Sequence, residues 1–292
     1  MKTTQKIGIT AVAIVAATFL AWKAQPDSAA ARATLVQDQH GRMVTDVVID
    51  GQGPFPFIVD TGAPMSCISQ QLAERLHLPT LPLVRVQVQG TAGQEQSSMY
   101  IARSYSSPLF ERHLERLVGL AHSPAVTNGV LGMNAFANRQ VVFDFANHSM
   151  YVRESQAAQG EVIRGRLQGT DLSVDIEVDG VRATAFIDTG ARRTIANAAL
   201  MRALSIKTEG LPKTDSIEGA TKDKLPARSA RVTYLRVGSV RFAQPPLVVA
   251  DLLVFERRGL RDTPAVVLGI DLLSKFNVMS VDYSRSELGI QF

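Results

Sequence analysis

Residues 57–63 read Phe-Ile-Val-Asp-Thr-Gly-Ala, and residues 185–191 read Ala-Phe-Ile-Asp-Thr-Gly-Ala. In both copies apolar residues lead directly into the aspartate, so a buried strand is expected to end at Asp60 and at Asp188. An isolated Asp-Thr-Gly is usually an ordinary turn, in which the aspartate caps the turn and the glycine supplies a positive φ. Its repetition after two apolar runs indicates that the two aspartates share a role.

Two further motifs recur in the same order. Val-Leu-Gly-Met-Asn at 130–134 returns as Val-Leu-Gly-Ile-Asp at 267–271, and Val-Phe-Asp-Phe at 142–145 returns as Ser-Val-Asp-Tyr at 280–283. Three motifs that keep one order indicate two copies of one domain. A polar run at 154–161 separates the copies, and we predict an N-terminal lobe over residues 31–156 and a C-terminal lobe over residues 157–292.

Both copies are predicted to be mainly β. Alternating apolar residues at 43–49 and 172–178 lead through glycine-containing turns into the strands that end at the aspartates, and Asp179-Gly180 is a strong hairpin signal. After each Asp-Thr-Gly, leucines four residues apart predict a short helix, at Gln71–Leu76 and at Ala198–Leu204. Each lobe is expected to hold about six strands.

Two carboxyl groups at the ends of two related strands can act together. Carboxyl groups about 3 Å apart cannot both ionise, so they share one proton and titrate as a coupled pair. The ionised member can take a proton from a water held between them, while the protonated member donates to a carbonyl oxygen of the substrate. The pair Asp60 and Asp188 therefore predicts hydrolysis by an activated water, with no metal ion and no other cofactor.

The motif Asp-Thr-Gly-Ala, followed downstream by two apolar residues and a glycine, resembles the active-site motifs of the pepsin/retropepsin-like aspartic peptidases. The likeness extends over residues 33–292. It implies a mainly β, two-lobed acid-protease-like β-barrel fold with a central substrate cleft, in which Asp60 and Asp188 are catalytic. It also implies a supporting role for the residues that follow them, through threonine hydrogen bonds across the lobe interface and glycine amides directed at the carboxylates: Thr61, Gly62, Thr189 and Gly190.

A glycine-containing segment lies between each Asp-Thr-Gly and its Val-Leu-Gly, at 88–94 in the first lobe and at 217–221 in the second. Glycine at a hairpin tip would let the tip move over a substrate, so both segments are candidate flaps. The candidate flap residues are Gly90, Thr91, Ala92, Gly93, Gly219 and Ala220. The alternative is that both segments are ordinary surface hairpins.

Two flaps, and an alanine after each Asp-Thr-Gly, resemble the retroviral peptidases more than pepsin. The chain is therefore interpreted as a single-chain version of a retropepsin dimer, of the bacterial exported type. Pepsin-like chains carry a tyrosine in the flap and a serine or threonine that hydrogen-bonds the carboxylate, whereas here neither flap has a tyrosine and the equivalent residues are Ala63 and Ala191. These departures leave the pH optimum and the response to pepsin-type inhibitors open.

The N-terminus has the pattern of an export segment. Lys2 and Lys6 precede an apolar run at 7–22, and Ser28-Ala29-Ala30 offers a small-x-small cleavage site. We predict that residues 1–30 are a signal peptide or an N-terminal membrane anchor, and that the catalytic body is periplasmic or tethered to the membrane outside the cytoplasm. The alternative is a buried N-terminal helix.

Composition argues against several other classes of protein. The formal net charge is +4, and half of it comes from residues 1–30; basic residues are not interleaved with aromatic ones, so no nucleic-acid partner is indicated. The five histidines have no metal-binding spacing, and the single cysteine, Cys67, is expected to be a small core residue. The charged stretch Phe110–Leu117 is predicted to be a solvated helix face, with partner docking as an alternative.

We predict from the sequence that the chain is an aspartic endopeptidase that acts on extended segments of a protein or peptide substrate, as a monomer with pseudo-two-fold lobes. Processing of envelope proteins is a hypothesis that rests on the N-terminus alone. One rival is a catalytically silent peptide-binding protein of the same fold, and another is a structural envelope protein. Both rivals are disfavoured by the intact pair of Asp-Thr-Gly motifs.

Overall fold

The computed structural model describes residues 31–121 and 128–292. The described chain is mainly β, as predicted. Its strands are β1 (Ala31–Thr34), β2 (Val36–Gln37), β3 (Met43–Ile49), β4 (Gln52–Val59), β5 (Cys67–Ser69), β6 (Thr80–Gln89), β7 (Gln94–Ser107), β8 (Phe110–Leu120), β9 (Gly129–Leu131), β10 (Arg139–Asp144), β11 (Ser149–Glu154), β12 (Glu161–Arg164), β13 (Arg166–Gln168), β14 (Asp171–Val178), β15 (Val181–Ile187), β16 (Ile195–Ala196), β17 (Lys213–Ile217), β18 (Leu225–Arg231), β19 (Tyr234–Val237), β20 (Val240–Ala243), β21 (Pro246–Val249), β22 (Ala265–Leu268), β23 (Val278–Asp282) and β24 (Glu287–Gln291).

Short helices connect some of these strands. They are α1 (Gln70–Arg75), α2 (Ala198–Ala203), α3 (Leu253–Arg257) and α4 (Ile270–Leu273), with 3-10 turns at Met133–Phe136 and Thr208–Gly210. The first two lie where the sequence predicts them and begin alike: the Ser69 side chain accepts from the Leu72 amide at 3.1 Å, and the Asn197 side chain accepts from the Leu200 amide at 2.9 Å. Such N-caps satisfy amides that have no partner within the helix.

Each half of the chain forms its own sheet. In the first half the strand order is β2-β3-β4-β9-β5-β8-β7-β6, and β3 also pairs with β7, which curls the sheet towards a barrel. In the second half the order is β17-β18-β21-β16-β22-β15-β14-β19-β20, with β13 paired to β14. The described parts of these sheets thus hold eight and ten strands, more than the six expected, because the flap hairpins β6–β7 and β17–β18 belong to the same sheets.

A third sheet joins the two halves. Its order is β1-β11-β10-β23-β24-β12, and β10 pairs antiparallel with β23 so that Val141 lies opposite Val281 and Phe143 opposite Met279. These four side chains are fully buried. The repeated motifs at 142–145 and 280–283 are therefore the strands through which the two halves associate, and their apolar side chains form part of a core that is continuous from one lobe to the other.

The prediction of a helix face at Phe110–Leu117 was wrong, because this stretch lies in strand β8. It pairs antiparallel with β7 along most of its length, with Tyr100 opposite Leu117. The charged residues occupy positions at the sheet surface while Leu117 is fully buried. Pairing with a long neighbouring strand therefore overrides the helical spacing of the local sequence.

The predicted signal peptide or membrane anchor, residues 1–30 with the apolar run 7–22, lies outside the described residues. Among residues 31–121 and 128–292, no helix is long and apolar enough to cross a membrane.

Candidate active site

Both Asp-Thr-Gly turns lie at the end of a strand that is paired in parallel with the Val-Leu-Gly motif of the same lobe. Strand β4 pairs with β9, and the Asp60 amide donates to the Leu131 carbonyl at 3.1 Å. Strand β15 pairs with β22, and the Asp188 amide donates to the Leu268 carbonyl at 3.1 Å. The second motif thus fixes the position of each aspartate along its strand.

The glycines of the two Val-Leu-Gly motifs lie against the chain that follows the Asp-Thr-Gly turns. A side chain at Gly132 would overlap the carbonyl group of Met65, and a side chain at Gly269 would overlap that of Arg193. The next amide in each lobe, that of Met133 or Ile270, donates to the alanine that follows Asp-Thr-Gly, at 2.9 and 2.8 Å. This close approach is the reason, expected from the sequence, that glycine is required there.

The two aspartate carboxyl groups face each other across the lobe interface and are in hydrogen-bonding contact. On the first lobe the Gly62 amide donates to Asp60 Oδ1 at 2.8 Å. On the second, the amides of Gly190 and Ala191 both donate to Asp188 Oδ1 at 2.9 Å. Each glycine also lies against the opposite carboxyl, where a Cβ atom would collide with it.

The surroundings of the carboxyl pair favour retention of a proton. Burial raises the pKa of Asp60, although the Gly62 amide opposes this shift. Burial also raises the pKa of Asp188 well above its ordinary value, and the neighbouring Asp60 charge raises it further. Because two such groups in contact cannot both ionise at moderate pH, the pair is expected to hold one proton between them.

Two threonines connect the two Asp-Thr-Gly turns through hydrogen bonds. The Thr61 hydroxyl donates to the Ile187 carbonyl at 2.8 Å and accepts from the Thr189 amide at 3.0 Å. The Thr189 hydroxyl donates to the Val59 carbonyl at 2.7 Å and accepts from the Thr61 amide at 3.1 Å. Both threonines are almost completely buried, so the four bonds form a dry, two-fold-related connection beneath the carboxyl pair.

A second pair of polar contacts was not anticipated from the sequence. Asn134 Oδ1 accepts from the Ser66 amide at 2.7 Å, while the Ser66 hydroxyl accepts from the Gly132 amide at 3.1 Å. In the other lobe, Asp271 accepts from the Thr194 amide at 3.1 Å and from its hydroxyl at 2.8 Å. In each lobe, these bonds connect the segment after the Asp-Thr-Gly turn to the end of the Val-Leu-Gly motif. The signal was present, since both motif copies end in Asn or Asp and a hydroxyl residue follows both turns.

The two candidate flaps meet at their tips. The first turns between β6 and β7, with the Gly90 amide bonded to the Gly93 carbonyl at 2.8 Å, and the second follows β17. Gly90 lies against the Thr221 side chain, and Gly219 lies against that of Thr91. Ala220 packs on an apolar cluster of the first lobe that includes Ala63 and Val88. The flap segments therefore form one bridge between the lobes, while their contact with substrate stays a prediction.

Cys67 packs against the same apolar cluster. Burial raises the pKa of its thiol to about 12, and the thiol donates to the Met65 carbonyl at 3.3 Å. A thiol held in the protonated form is a poor nucleophile. Cys67 is partly buried, so it lies at the edge of this cluster and not within the core that was expected.

Each half of the chain is similar to a known protein family. A family model described as "Aspartyl protease" matches residues 174–272, and one described as "gag-polyprotein putative aspartyl protease" matches residues 45–138. None of the curated proteins compared with the chain matches it. A solved structure that does match is a retropepsin-like aspartic protease from Rickettsia conorii, at 19% identity, over 44% of this chain and 95% of that one, with a TM-score of 0.34.

The two family matches fall on the two lobes, and each includes one Asp-Thr-Gly turn together with its Val-Leu-Gly partner. Both matched families are aspartyl proteases, and the matched segments are the ones that the hydrogen bonds bring together in the structure. Each half of the chain is therefore similar to an aspartyl protease family, and neither match extends over half of the chain.

Proposed function

We propose that this chain is an aspartic endopeptidase that hydrolyses peptide bonds within extended protein segments, with Asp60 and Asp188 as its catalytic residues. The observation that carries the proposal is the contact between two half-buried carboxyl groups, each at the end of an equivalent strand. Burial of paired like charges is costly and needs a reason. Activation of a water between them is such a reason, because a pair with one proton supplies a general base and a general acid together.

In this proposal the surrounding residues have separate tasks. The amides of Gly62 and Gly190 hold one oxygen of each carboxylate, which leaves the other oxygens for water and substrate. The threonine bonds keep the two turns in register, and so hold the two carboxyl groups where they can share a proton. A peptide that passes between the turns and the flap tips would offer backbone groups on both sides, as in strand addition. Either aspartate can be the base, because the pair shares the proton.

The test is cleavage of denatured casein by the full-length chain, purified in mild detergent, from about pH 3 to about pH 8. Asp60→Asn and Asp188→Asn are the variants, since each removes one titrating group and keeps the side-chain shape. Asp46→Asn is the matched control, because Asp46 is exposed on β3 and its carboxyl takes part in no described hydrogen bond. Parent and control are expected to cleave casein, and both active-site variants are expected to be inactive.

Robust cleavage by either active-site variant would contradict the shared carboxyl pair. A parent chain that binds casein without cleaving it at any pH would favour the peptide-binding alternative.

We further propose that the chain acts as a monomer and is exported, with residues 1–30 as the signal or anchor. The first part is supported by the fact that one chain supplies both carboxyl groups and both flaps. Light scattering at the protein concentration of the activity assay would measure the mass in solution. A stable dimer would contradict the monomer.

A further inference from the structure

The chain that leaves each catalytic turn follows the same path in both lobes. Met133 bonds to Ala63 as Ile270 bonds to Ala191. The carbonyl group that stands against the Val-Leu-Gly glycine belongs to Met65 in the first lobe and to Arg193 in the second. Pro64-Met65 and Arg192-Arg193 are therefore equivalent pairs, placed on opposite sides of the carboxyl pair by the pseudo-two-fold axis.

The chemistry of these equivalent pairs differs sharply. Met65 packs into the apolar cluster under the first flap, and Pro64 carries no charge. Arg192 and Arg193 are both exposed and bring two positive charges to the same place in the second lobe. An extended substrate bound across the carboxyl pair would meet an uncharged surface on one side of the scissile bond and a cationic one on the other.

The two guanidinium groups keep their charge available. In the part of the chain that the structure describes, neither forms an ion pair with a carboxylate, and Arg193 bonds only to the Thr214 hydroxyl, at 3.3 Å. The nearby acidic groups have other partners: Glu218 pairs with Lys224, and Asp271 accepts from Thr194.

Both arginines line a groove of the second lobe with a volume of about 880 Å³, together with Asp179 and Asp271 and residues of β18 and β21. Asp179 accepts from the amides of Thr233 and Tyr234. Their side chains thus have space in which to meet a ligand.

The arginines are also within reach of a bound peptide. The Ala191 amide lies 2.9 Å from the Asp188 carboxylate, and one further peptide unit places the Arg192 Cα within about 8 Å of that carboxylate. An arginine side chain adds several ångströms, and an extended peptide advances about 3.3 Å per residue. A substrate residue about two to four positions from the scissile bond would therefore face the guanidinium groups.

We propose that Arg192 and Arg193 form a cationic subsite that selects peptides with Asp or Glu on one side of the scissile bond, about two to four residues from it. This inference rests on the proposed peptidase function and specifies its substrate class. Guanidinium groups bind carboxylates through paired hydrogen bonds, so the preference includes both acidic residues. The uncharged Pro64-Met65 side gives no such preference, and the specificity is therefore asymmetric.

The first measurement is the cleavage pattern of the full-length chain on a proteome-derived peptide library, read by mass spectrometry. We expect Asp and Glu to be enriched at one position on one side of the cleaved bond. Two synthetic peptides, with Glu or Gln at that position, should then differ in kcat/KM by about tenfold, which corresponds to about 1.4 kcal/mol. The ratio should fall as ionic strength rises, because exposed charges are screened by salt.

The variants are the neutralised pair Arg192→Gln with Arg193→Gln, and the reversed pair Arg192→Glu with Arg193→Glu. The first should bring the Glu/Gln ratio close to one, and the second should favour Lys or Arg at that position. Arg182→Gln is the matched control, since Arg182 is exposed at the start of β15, at the opposite end of that strand from Asp188. It should keep the parent ratio, and because these side chains are exposed, all variants should unfold at the parent temperature.

The outcomes separate this inference from the proposed function. A parent that cleaves the library without acidic enrichment, or a double variant that keeps the parent ratio, overturns the cationic subsite and leaves the peptidase standing. If the parent cleaves no more than Asp188→Asn, both the peptidase function and the subsite are overturned.

Discussion

Replacement of Thr61 by valine removes one of the two hydroxyl groups that connect the Asp-Thr-Gly turns and keeps the shape of the side chain. Thr61 is only 2% exposed. Its loss leaves the Ile187 carbonyl and the Thr189 amide, now bonded at 2.8 and 3.0 Å, without partners. Each buried group left unsatisfied costs about 1–3 kcal/mol, so Thr61→Val should lower the free energy of unfolding by about 2–6 kcal/mol. In a protein of this size that corresponds to a fall in Tm of roughly 5–20 °C.

The matched control is Thr61→Ser, which keeps the hydroxyl and loses one methyl group, at a cost of about 1 kcal/mol. Thermal unfolding followed by circular dichroism compares the two variants, and casein cleavage at the parent's optimum measures activity in parallel. The valine variant should lose both stability and activity, whereas the serine variant should keep most of each. Equal melting temperatures for the two variants would refute the argument that the hydroxyl bonds join the lobes.

Three further predictions concern the carboxyl pair, the second motif and the N-terminus. Asp188 has a raised pKa in the folded chain, so its contribution to stability is present at low pH and is lost as the pH rises. The Asp188→Asn variant should therefore have a higher Tm than the parent at about pH 7 and the same Tm as the parent at about pH 3.5. Equal Tm values for variant and parent at both pH values would contradict the pKa shift. The added methyl group of Gly132→Ala would overlap Met65 and should lower the free energy of unfolding by about 2 kcal/mol or more. The control Gly210→Ala meets no described atom within 4 Å and should keep the parent Tm. Equal losses of stability in the two variants would argue against the close approach at Gly132. Alkaline phosphatase fused after residue 30 reports export, because its disulfides form only outside the cytoplasm. The fusion should be active if residues 1–30 direct export, and an inactive fusion would contradict export.

Much of the site could be predicted because its signals are local. The apolar run before Asp60, the turn chemistry of Asp-Thr-Gly and the leucine spacing of α1 and α2 each depend on a few adjacent residues. Repetition then linked the two halves, and the flap tips lie in the predicted segments. The polar contacts of Ser66 with Asn134 were missed because the two residues lie far apart in the chain and meet only when β9 inserts between β4 and β5.

Errors arose where pairing between distant strands competes with a local pattern. The stretch Phe110–Leu117 has helical spacing, but β7 offers it a long line of backbone hydrogen bonds. The strand count of the lobes was too low because hairpins at the flaps join the sheets behind them. Neither outcome is visible in a window of adjacent residues.

By itself, the sequence determined that this protein is a duplicated β structure with one aspartate at the end of an equivalent strand in each half, since periodicity and turn residues act over short distances. Only the tertiary structure decided that the two carboxyl groups touch, that burial and like charge raise their pKa values, and that β10 and β23 hold the halves together in one sheet. It also decided that Arg192 and Arg193 lie opposite Pro64 and Met65 across the site. These properties depend on how two distant segments approach, and a proton can be shared only after folding has brought the two half-buried carboxyl groups together.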